Sequence, residues 1–191
     1  MSLGRFWGMS NRFMDNTKVY FRGTGWPVCF ASGATNVSYT NNTSFHFDHV
    51  GNGAKTISGL LPNVYIAAGS RDLRLGGRIE GDLHFLGDAQ LYKPGSYNTT
   101  NLTVDNSIFI ATGAAIATRG GTITVGQDLN ASGSCTNYGL IQSDIGTTNI
   151  AVNGVANVNN VTFSNINQTG PAAINVVNST DAGGNTGINF L

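Results

Sequence analysis

Residues 102–110 read LTVDNSIFI, and this stretch decides the fold class. Apolar residues recur two apart in it, first as Leu102 and Val104 and then as Ile108 and Ile110. A period of two puts each pair on one face of a β-strand and the intervening residue on the other face. The tripeptide Asp-Asn-Ser between the pairs is typical of a turn. The stretch therefore predicts two short strands that are each apolar on one face.

The same pattern extends outward from residue 35 to the end of the chain. Short β-type runs alternate with turn residues, and the runs span residues 37–39, 44–47, 64–67, 73–75, 83–86, 102–104, 108–110, 123–125, 150–152 and 161–163. Most of them carry an apolar pair two residues apart, as in Phe45/Phe47, Val64/Ile66, Leu83/Phe85 and Ile150/Val152. We therefore expect many short strands, each with one face turned to a core.

Composition supports an all-β chain and excludes several classes of protein. Glycine contributes 26 of 191 residues and charged residues only 10%, so a helical bundle is excluded. Ten basic residues balance ten acidic ones, which argues against a nucleic-acid partner. No apolar run approaches the ~20 residues of a membrane helix, which predicts no membrane partner. The first eight residues, MSLGRFWG, lack a secretory signal, so we expect either a removed leader or assembly in the cytosol.

The connections between the runs favour one β architecture. They are irregular and rich in glycine, and Leu83, Leu102 and Ile123 recur at nearly equal spacings along the chain. A period of about 20 residues is typical of a parallel β-solenoid, in which each turn of chain stacks on the previous one. We therefore predict a right-handed parallel β-helix with corners at Gly76–Gly77 and Gly120–Gly121; the alternative is a jelly-roll-like β-sandwich.

Two stretches resemble known β-helical proteins. Residues 43–48 (TSFHFD) and 53–59 (GAKTISG), with the glycine-cornered runs that follow to about residue 129, resemble the β-helical repeats of bacterial adhesin-like surface proteins. Residues 161–166 (VTFSNI) followed by residues 181–190 (DAGGNTGINF) are similar to the endings of β-helical proteins from phage particles and from environmental bacterial surface proteins. Because no export signal is evident, the resemblance to the phage group implies a virion structural protein assembled in the host cytoplasm. The bacterial cell surface is the alternative location.

The two ends of the chain differ in kind. Residues 120–191 contain no basic residue and only Asp128, Asp144 and Asp181 as charges, so we expect either that much of this surface lies within an oligomer or that it is an ordinary polar β surface rich in Asn and Thr. Residues 1–34 are aromatic and basic, and we predict that they form a docking arm beside a solenoid domain of residues 35–191; a cap on the first open end of the solenoid is the alternative. The predicted partner-binding residues are Arg5, Phe6, Trp7, Arg12, Phe13, Tyr20, Phe21, Arg22 and Trp26.

Three groups of residues are candidates for chemistry. His46, Asp48 and His49 are close in sequence, but a strand would place His49 on the opposite face, so we predict no metal site. Glu80, Asp82 and His84 predict a row on the outer face of one strand, without the burial that separates the pKa values of a catalytic pair. Neighbouring Arg71, Arg74 and Arg78 are expected to form salt bridges with that row or with another subunit.

The chain is accordingly predicted to have no catalytic residue and no cofactor. Cys29 and Cys135 are isolated, which favours buried thiols over a zinc site and leaves a disulfide open.

These observations give one leading function and two alternatives. The leading prediction is a capsid decoration or cement protein of a tailed phage, or otherwise a tail or fibre component. It would bind the major capsid protein or another virion protein and form a homotrimer. The first alternative is a glycan-binding or adhesive module that uses Tyr92, Tyr97 and Tyr138 for stacking. The second is a polysaccharide-degrading enzyme.

Overall fold

A computed structural model describes residues 11–13, 16–22, 37–39, 42–48, 55–57, 60–91 and 100–191. Over these residues the chain is all-β, without a helix, and its named strands pair only in parallel. Most of them form three stacked sheets of nine, seven and six strands. The structure thereby confirms the predicted β-solenoid and excludes the sandwich, whose sheets would be antiparallel.

Between residues 44 and 168, each turn of chain contributes one strand to each sheet. The first sheet contains, in order, β2 (Lys18–Arg22), β4 (Ser44–Asp48), β7 (Asn63–Ile66), β10 (Leu83–Phe85), β13 (Ile108–Ile110), β16 (Leu129–Ser132), β19 (Ala156–Asn159), β22 (Ile174–Val177) and β24 (Ile188–Phe190). The second contains β5 (Lys55–Ile57), β8 (Ser70–Leu75), β11 (Ala89–Leu91), β14 (Ala115–Thr118), β17 (Gly139–Ser143), β20 (Val161–Ser164) and β23 (Thr180–Asp181). The third contains β6 (Leu60–Leu61), β9 (Gly77–Ile79), β12 (Thr100–Val104), β15 (Gly121–Val125), β18 (Thr148–Val152) and β21 (Ile166–Gln168).

Two further strands lie in a separate small sheet. β1 (Asn11–Phe13) pairs with β3 (Val37–Tyr39). In the first sheet, β2 pairs with β4 over its whole length, so residues 18–22 belong to the stack of turns. The boundary at residues 34/35 between arm and solenoid stays a prediction.

The core lies inside the coil and is built from the predicted apolar pairs. Phe45 and Phe47 of β4, Val64 and Ile66 of β7, and their counterparts in later strands are buried. In-register pairing stacks each inward residue on an inward residue of the next turn, for example Leu83 on Ile108. The interior therefore consists mainly of apolar columns, in which the buried hydroxyls of Thr118 and Thr148 hydrogen-bond to each other. The outward side chains form matching columns outside.

The predicted repeat is confirmed for one of its two intervals and is wrong for the other. Leu102 and Ile123 are register partners in the third sheet, so the stretch of chain from one to the other is one full turn. Leu83 and Leu102 are not partners, because Leu83 lies in the first sheet and pairs with Val64 and Ile108. They belong to different sides of the coil, and the similar spacing between them is not a repeat.

The predicted glycine corners are confirmed. Gly76–Gly77 joins β8 to β9, and Gly120 directly precedes β15, which begins at Gly121. Both positions connect the second sheet to the third. Gly77, Gly120 and Gly121 have φ values of 91°, 68° and 89°, a region that costs other L-residues energy because Cβ crowds the backbone.

Candidate binding surface

The structure describes the side chain of one predicted partner-binding residue. Tyr20 lies in β2 and is 42% exposed. Only the backbone is described for Arg12 and Phe13 in β1 and for Phe21 and Arg22 in β2. Arg5, Phe6, Trp7 and Trp26 lie outside the described residues, and the docking arm stays a prediction.

Tyr20 begins a stack of rings that runs across the outer face of the first sheet. In five successive strands the outward central residue is Tyr20, His46, Tyr65, His84 and Phe109, and we call this column the aromatic ladder. Centroids of successive rings lie 4.7, 4.5, 4.3 and 4.7 Å apart, at interplanar angles of 26°, 6°, 1° and 7°. The spacing follows from the distance between paired strands, which is close to ring-stacking distance.

The stacking determines which part of each ring meets a partner. His46, Tyr65 and His84 have a neighbouring ring on both faces, so these three rings present their outer edges to solvent. The edges carry tyrosine hydroxyls and imidazole nitrogens in alternation. His46 uses its Nε2 in a 2.9 Å contact with the Ser44 hydroxyl. Sugars stack on ring faces, so these three rings suit a hydrogen-bonding partner better than a sugar.

The same column continues with asparagine instead of aromatic residues. Asn130 of β16 pairs in register with Phe109, and the later strands carry Asn157, Asn175 and Asn189; we call these four the asparagine ladder. The Asn157 amide donates to Asn130 at 2.9 Å, and the Asn189 amide donates to Asn175 at 2.8 Å. Aromatic, histidine and asparagine side chains thus fill this column in all nine strands of the first sheet.

The predicted row of Glu80, Asp82 and His84 on one strand is wrong. β9 ends at Ile79 and β10 begins at Leu83, so both carboxylates lie in the corner between them. The Asp82 carboxylate accepts a 3.1 Å hydrogen bond from the backbone N–H of Ser107 in the next turn. A structural role therefore accounts for Asp82. The enzyme alternative stays a prediction, and assays of Glu80→Gln and Asp82→Asn for polysaccharide turnover test it.

Asp82 is one member of a column of corner contacts. In four successive turns, the residue just before the first inward position accepts a backbone N–H from the following turn: Asn63 from Asp82 at 2.8 Å, Ser107 from Asp128 at 3.2 Å and Asp128 from Val155 at 2.8 Å. We call Asn63, Asp82, Ser107 and Asp128 the corner ladder. These side chains satisfy the N–H groups that the sheets leave unpaired at the corner.

The role of Asp128 in the corner ladder can be tested by substitution. Asp128→Ala removes the acceptor for Val155 N–H, and we expect a loss of about 1 kcal/mol in the free energy of unfolding, measured by urea titration. Asp128→Asn is the matched control, because an amide oxygen already serves at Asn63. If both variants lose the same stability, the hydrogen bond is not the cause.

A second prediction concerns His84 and pH. Burial lowers the pKa of His84 below its ordinary 6.5; the charge of Asp82 opposes this shift and His46 adds to it. The unfolded chain therefore binds this proton more tightly than the folded chain. His84 contributes stability that is complete above pH 6.5 and is lost as the pH falls through the lowered folded-state pKa.

Urea titrations between pH 8 and pH 5 measure this effect. We expect His84→Phe, which keeps a ring in the aromatic ladder, to flatten the decline in unfolding free energy toward acid pH. Titrations at two protein concentrations separate this effect from association of chains. An unchanged pH profile in His84→Phe would contradict the assignment.

The remaining candidate groups form no site in the part of the chain that is described. Arg78 forms a salt bridge at 2.8 Å with Asp105, which lies outside the predicted row, whereas the side chains of Arg71 and Arg74 are not described. Among the described residues no group of three His, Cys, Asp or Glu side chains could hold a metal ion. His49 and Cys29 lie outside them.

Cys135 is exposed as a free thiol, so the predicted burial is wrong for this cysteine. No helix in the described ranges has the length and hydropathy needed to cross a membrane.

Comparison of the chain with protein-family models, with curated proteins and with solved structures gives no match.

Proposed function

We propose that this chain is a structural protein of a tailed-phage virion, in the first place a capsid decoration or cement protein. The outer face of the first sheet carries the proposal. Its central column holds aromatic, histidine and asparagine side chains in all nine strands and no acidic or basic residue other than the histidines. A column of this kind supports contact with protein neighbours, because aromatic side chains are enriched and charges depleted at the centre of protein interfaces.

The rigidity of the column supports the same function. Stacked rings and paired amides hold their side chains in place before any partner arrives, so little side-chain entropy remains to be lost on binding. In this proposal residues 1–34 bind the major capsid protein or another virion protein. The sparsely charged residues 120–191 contact further copies of the chain, in a trimer, or project outward.

The test is the position of the chain in purified phage particles. Antibodies raised against the purified chain should label the capsid surface of density-banded particles from a host that produces it. Deletion of residues 1–30 should abolish the binding of added chain to particles. Label confined to the host cell surface, with none on particles, would overturn the virion proposal. Full binding of the deleted chain would overturn the docking arm alone.

A glycan-binding module is the second candidate, and Tyr138 favours it. This side chain is 43% exposed in the loop between β16 and β17, outside the aromatic ladder, whereas Tyr92 and Tyr97 lie beyond the described residues. An exposed ring provides a stacking surface for a sugar. A glycan array should give hits that Tyr138→Ala removes, and an array without hits removes this candidate.

A further inference from the structure

Ser44 and His46 form a hydrogen-bonded pair at the start of β4. They stand two residues apart, alternating with the inward Phe45 and Phe47, and the Ser44 Oγ is 2.9 Å from the His46 Nε2. A neutral imidazole with its proton on Nδ1 accepts a serine O–H at Nε2. A nucleophilic hydroxyl and a general base make the same contact, at about 2.6–3.2 Å.

The aromatic ladder holds the imidazole in place. The His46 ring lies between the rings of Tyr20 and Tyr65, at centroid distances of 4.7 and 4.5 Å. Stacking on both faces keeps the ring in the plane that brings Nε2 to Ser44. A base that is already oriented loses no freedom when a substrate arrives.

Ser107 shows what a serine does at this position without a histidine. Ser44 and Ser107 each stand directly before the first inward residue of their turn, and they are 6% and 7% exposed. The Ser107 hydroxyl accepts the backbone N–H of Asp128, as the corner ladder requires. The residue two positions after Ser107 is Phe109, which carries no base. Ser44 thus differs from its counterpart by its contact with an imidazole.

Two potential hydrogen-bond donors flank Ser44. In-register pairing places Lys18 of β2 on one side of it and Asn63 of β7 on the other. Lys18 is exposed and carries an ammonium group on a flexible stem. The Asn63 Oδ1 accepts the Asp82 N–H at 2.8 Å, and its Nδ2 lies 3.5 Å from the backbone oxygen of Thr43. An amide nitrogen carries two N–H groups, and this long contact uses one of them.

We propose that Ser44 is a nucleophile that transfers short acyl groups from carboxylic esters to water. The Ser44 oxygen attacks the ester carbonyl carbon while His46 Nε2 takes the hydroxyl proton. The bond from that carbon to the alcohol oxygen breaks, and the alcohol leaves with the proton from His46. Water then attacks the acyl-serine and gives one proton through His46 to the Ser44 oxygen. One ester and one water thereby yield one acid and one alcohol.

The surroundings of Ser44 define the substrate class. The Lys18 ammonium and the Asn63 amide stabilise the negative charge that develops on the carbonyl oxygen. Because Ser44 is 6% exposed, its access favours a small acyl group such as acetyl. The inference goes beyond the proposed function. It also departs from the sequence prediction of no catalytic residue, because the contact with His46 depends on side-chain geometry.

Incubation of the purified chain with para-nitrophenyl acetate tests the proposal. Release of nitrophenolate measures turnover, and mass spectrometry of peptides after an acid quench locates the acetyl group. We expect Ser44 to be acetylated at least tenfold faster than Ser107. Ser107 is the internal control, since the two hydroxyls share their place in the turn and their burial.

Four variants of the full chain assign the roles. Ser44→Ala should lower ester hydrolysis at least tenfold. His46→Phe keeps a ring in the aromatic ladder but lacks the base, and Ser44 acetylation should fall roughly a hundredfold. Lys18→Met should slow it about tenfold or more. Ser107→Ala should leave it unchanged, and circular dichroism verifies that every variant is folded.

The outcomes separate this proposal from the others. Acetyl groups on lysines, with none on Ser44, overturn it. So does Ser44 acetylation at the same rate in wild type and in folded His46→Phe. Neither result bears on capsid labelling, so the virion proposal can fail or stand separately.

Discussion

Phe163→Ala should lose about 3–5 kcal/mol in the free energy of unfolding. Phe163 lies in β20 and is 0% exposed, and its ring meets Phe190 of β24 edge to face at a centroid distance of 6.2 Å. The substitution removes a ring from the enclosed core and leaves a cavity beside Phe190. Because whole domains are stable by only ~5–15 kcal/mol, this loss is large.

Urea titration followed by circular dichroism measures the loss, and limited proteolysis locates it. In a solenoid each turn contacts mainly its neighbours, so the last turns should become sensitive to protease before the earlier ones. Val177→Ala is the control, because Val177 is exposed on β22 and should change stability by less than ~0.5 kcal/mol. A Phe163→Ala loss below ~1 kcal/mol would contradict the enclosed core.

Gly126→Ala should lose about 2–4 kcal/mol, for a steric reason. Gly126 lies in the corner between β15 and β16, and a Cβ there would stand 2.0 Å from the backbone oxygen of Asp105 in the previous turn. Backbone cannot rotate away as a side chain can. Separating the turns would also lengthen the 2.7 Å hydrogen bond from Gly126 N–H to the Val104 oxygen.

Gly76→Ala is the matched control for this prediction. A Cβ at Gly76 would lie 3.6 Å from the backbone oxygen of Asn101, an ordinary contact. Alanine also reduces the freedom of the unfolded chain, so Gly76→Ala should be neutral or stabilising by up to about 1 kcal/mol. Equal losses in the two variants would show that crowding at Gly126 is not the cause. Thermal unfolding of both variants decides the matter.

The apolar pairs made the fold class predictable from the sequence. The number of residues per turn could not be predicted, because the corners vary in length. Pairs such as Phe45 and Phe47 identify strands without knowledge of their neighbours, because period two is a local property. The number of residues per turn is not local. The turn from Leu83 to Ile108 is longer than the turn from Val64 to Leu83, since it includes residues 92–99. Strands with a single inward residue, such as Ile79 in β9, also escape prediction for lack of a pair.

The aromatic ladder is visible in the sequence only as separate fragments. Tyr65, His84 and Phe109 each stand between two apolar residues, a signal that places every one of them on an outer face. Which rings touch depends on which strands share a sheet, and that requires the correct register. The Glu80–Asp82–His84 row failed for the same reason, because Gly81 and Asp82 turn a corner that the alternating pattern continued straight through.

The corner ladder runs in one direction along the chain. Each acceptor belongs to an earlier turn and each N–H donor to a later one. For example, the Asn63 side chain accepts the backbone N–H of Asp82, and the Asp128 side chain accepts the backbone N–H of Val155. During synthesis the acceptor therefore leaves the ribosome before its donor. The hydrogen-bond acceptors for each newly synthesised turn are therefore already present in the preceding turn. The solenoid can add turns during translation, before the C-terminus has been synthesised.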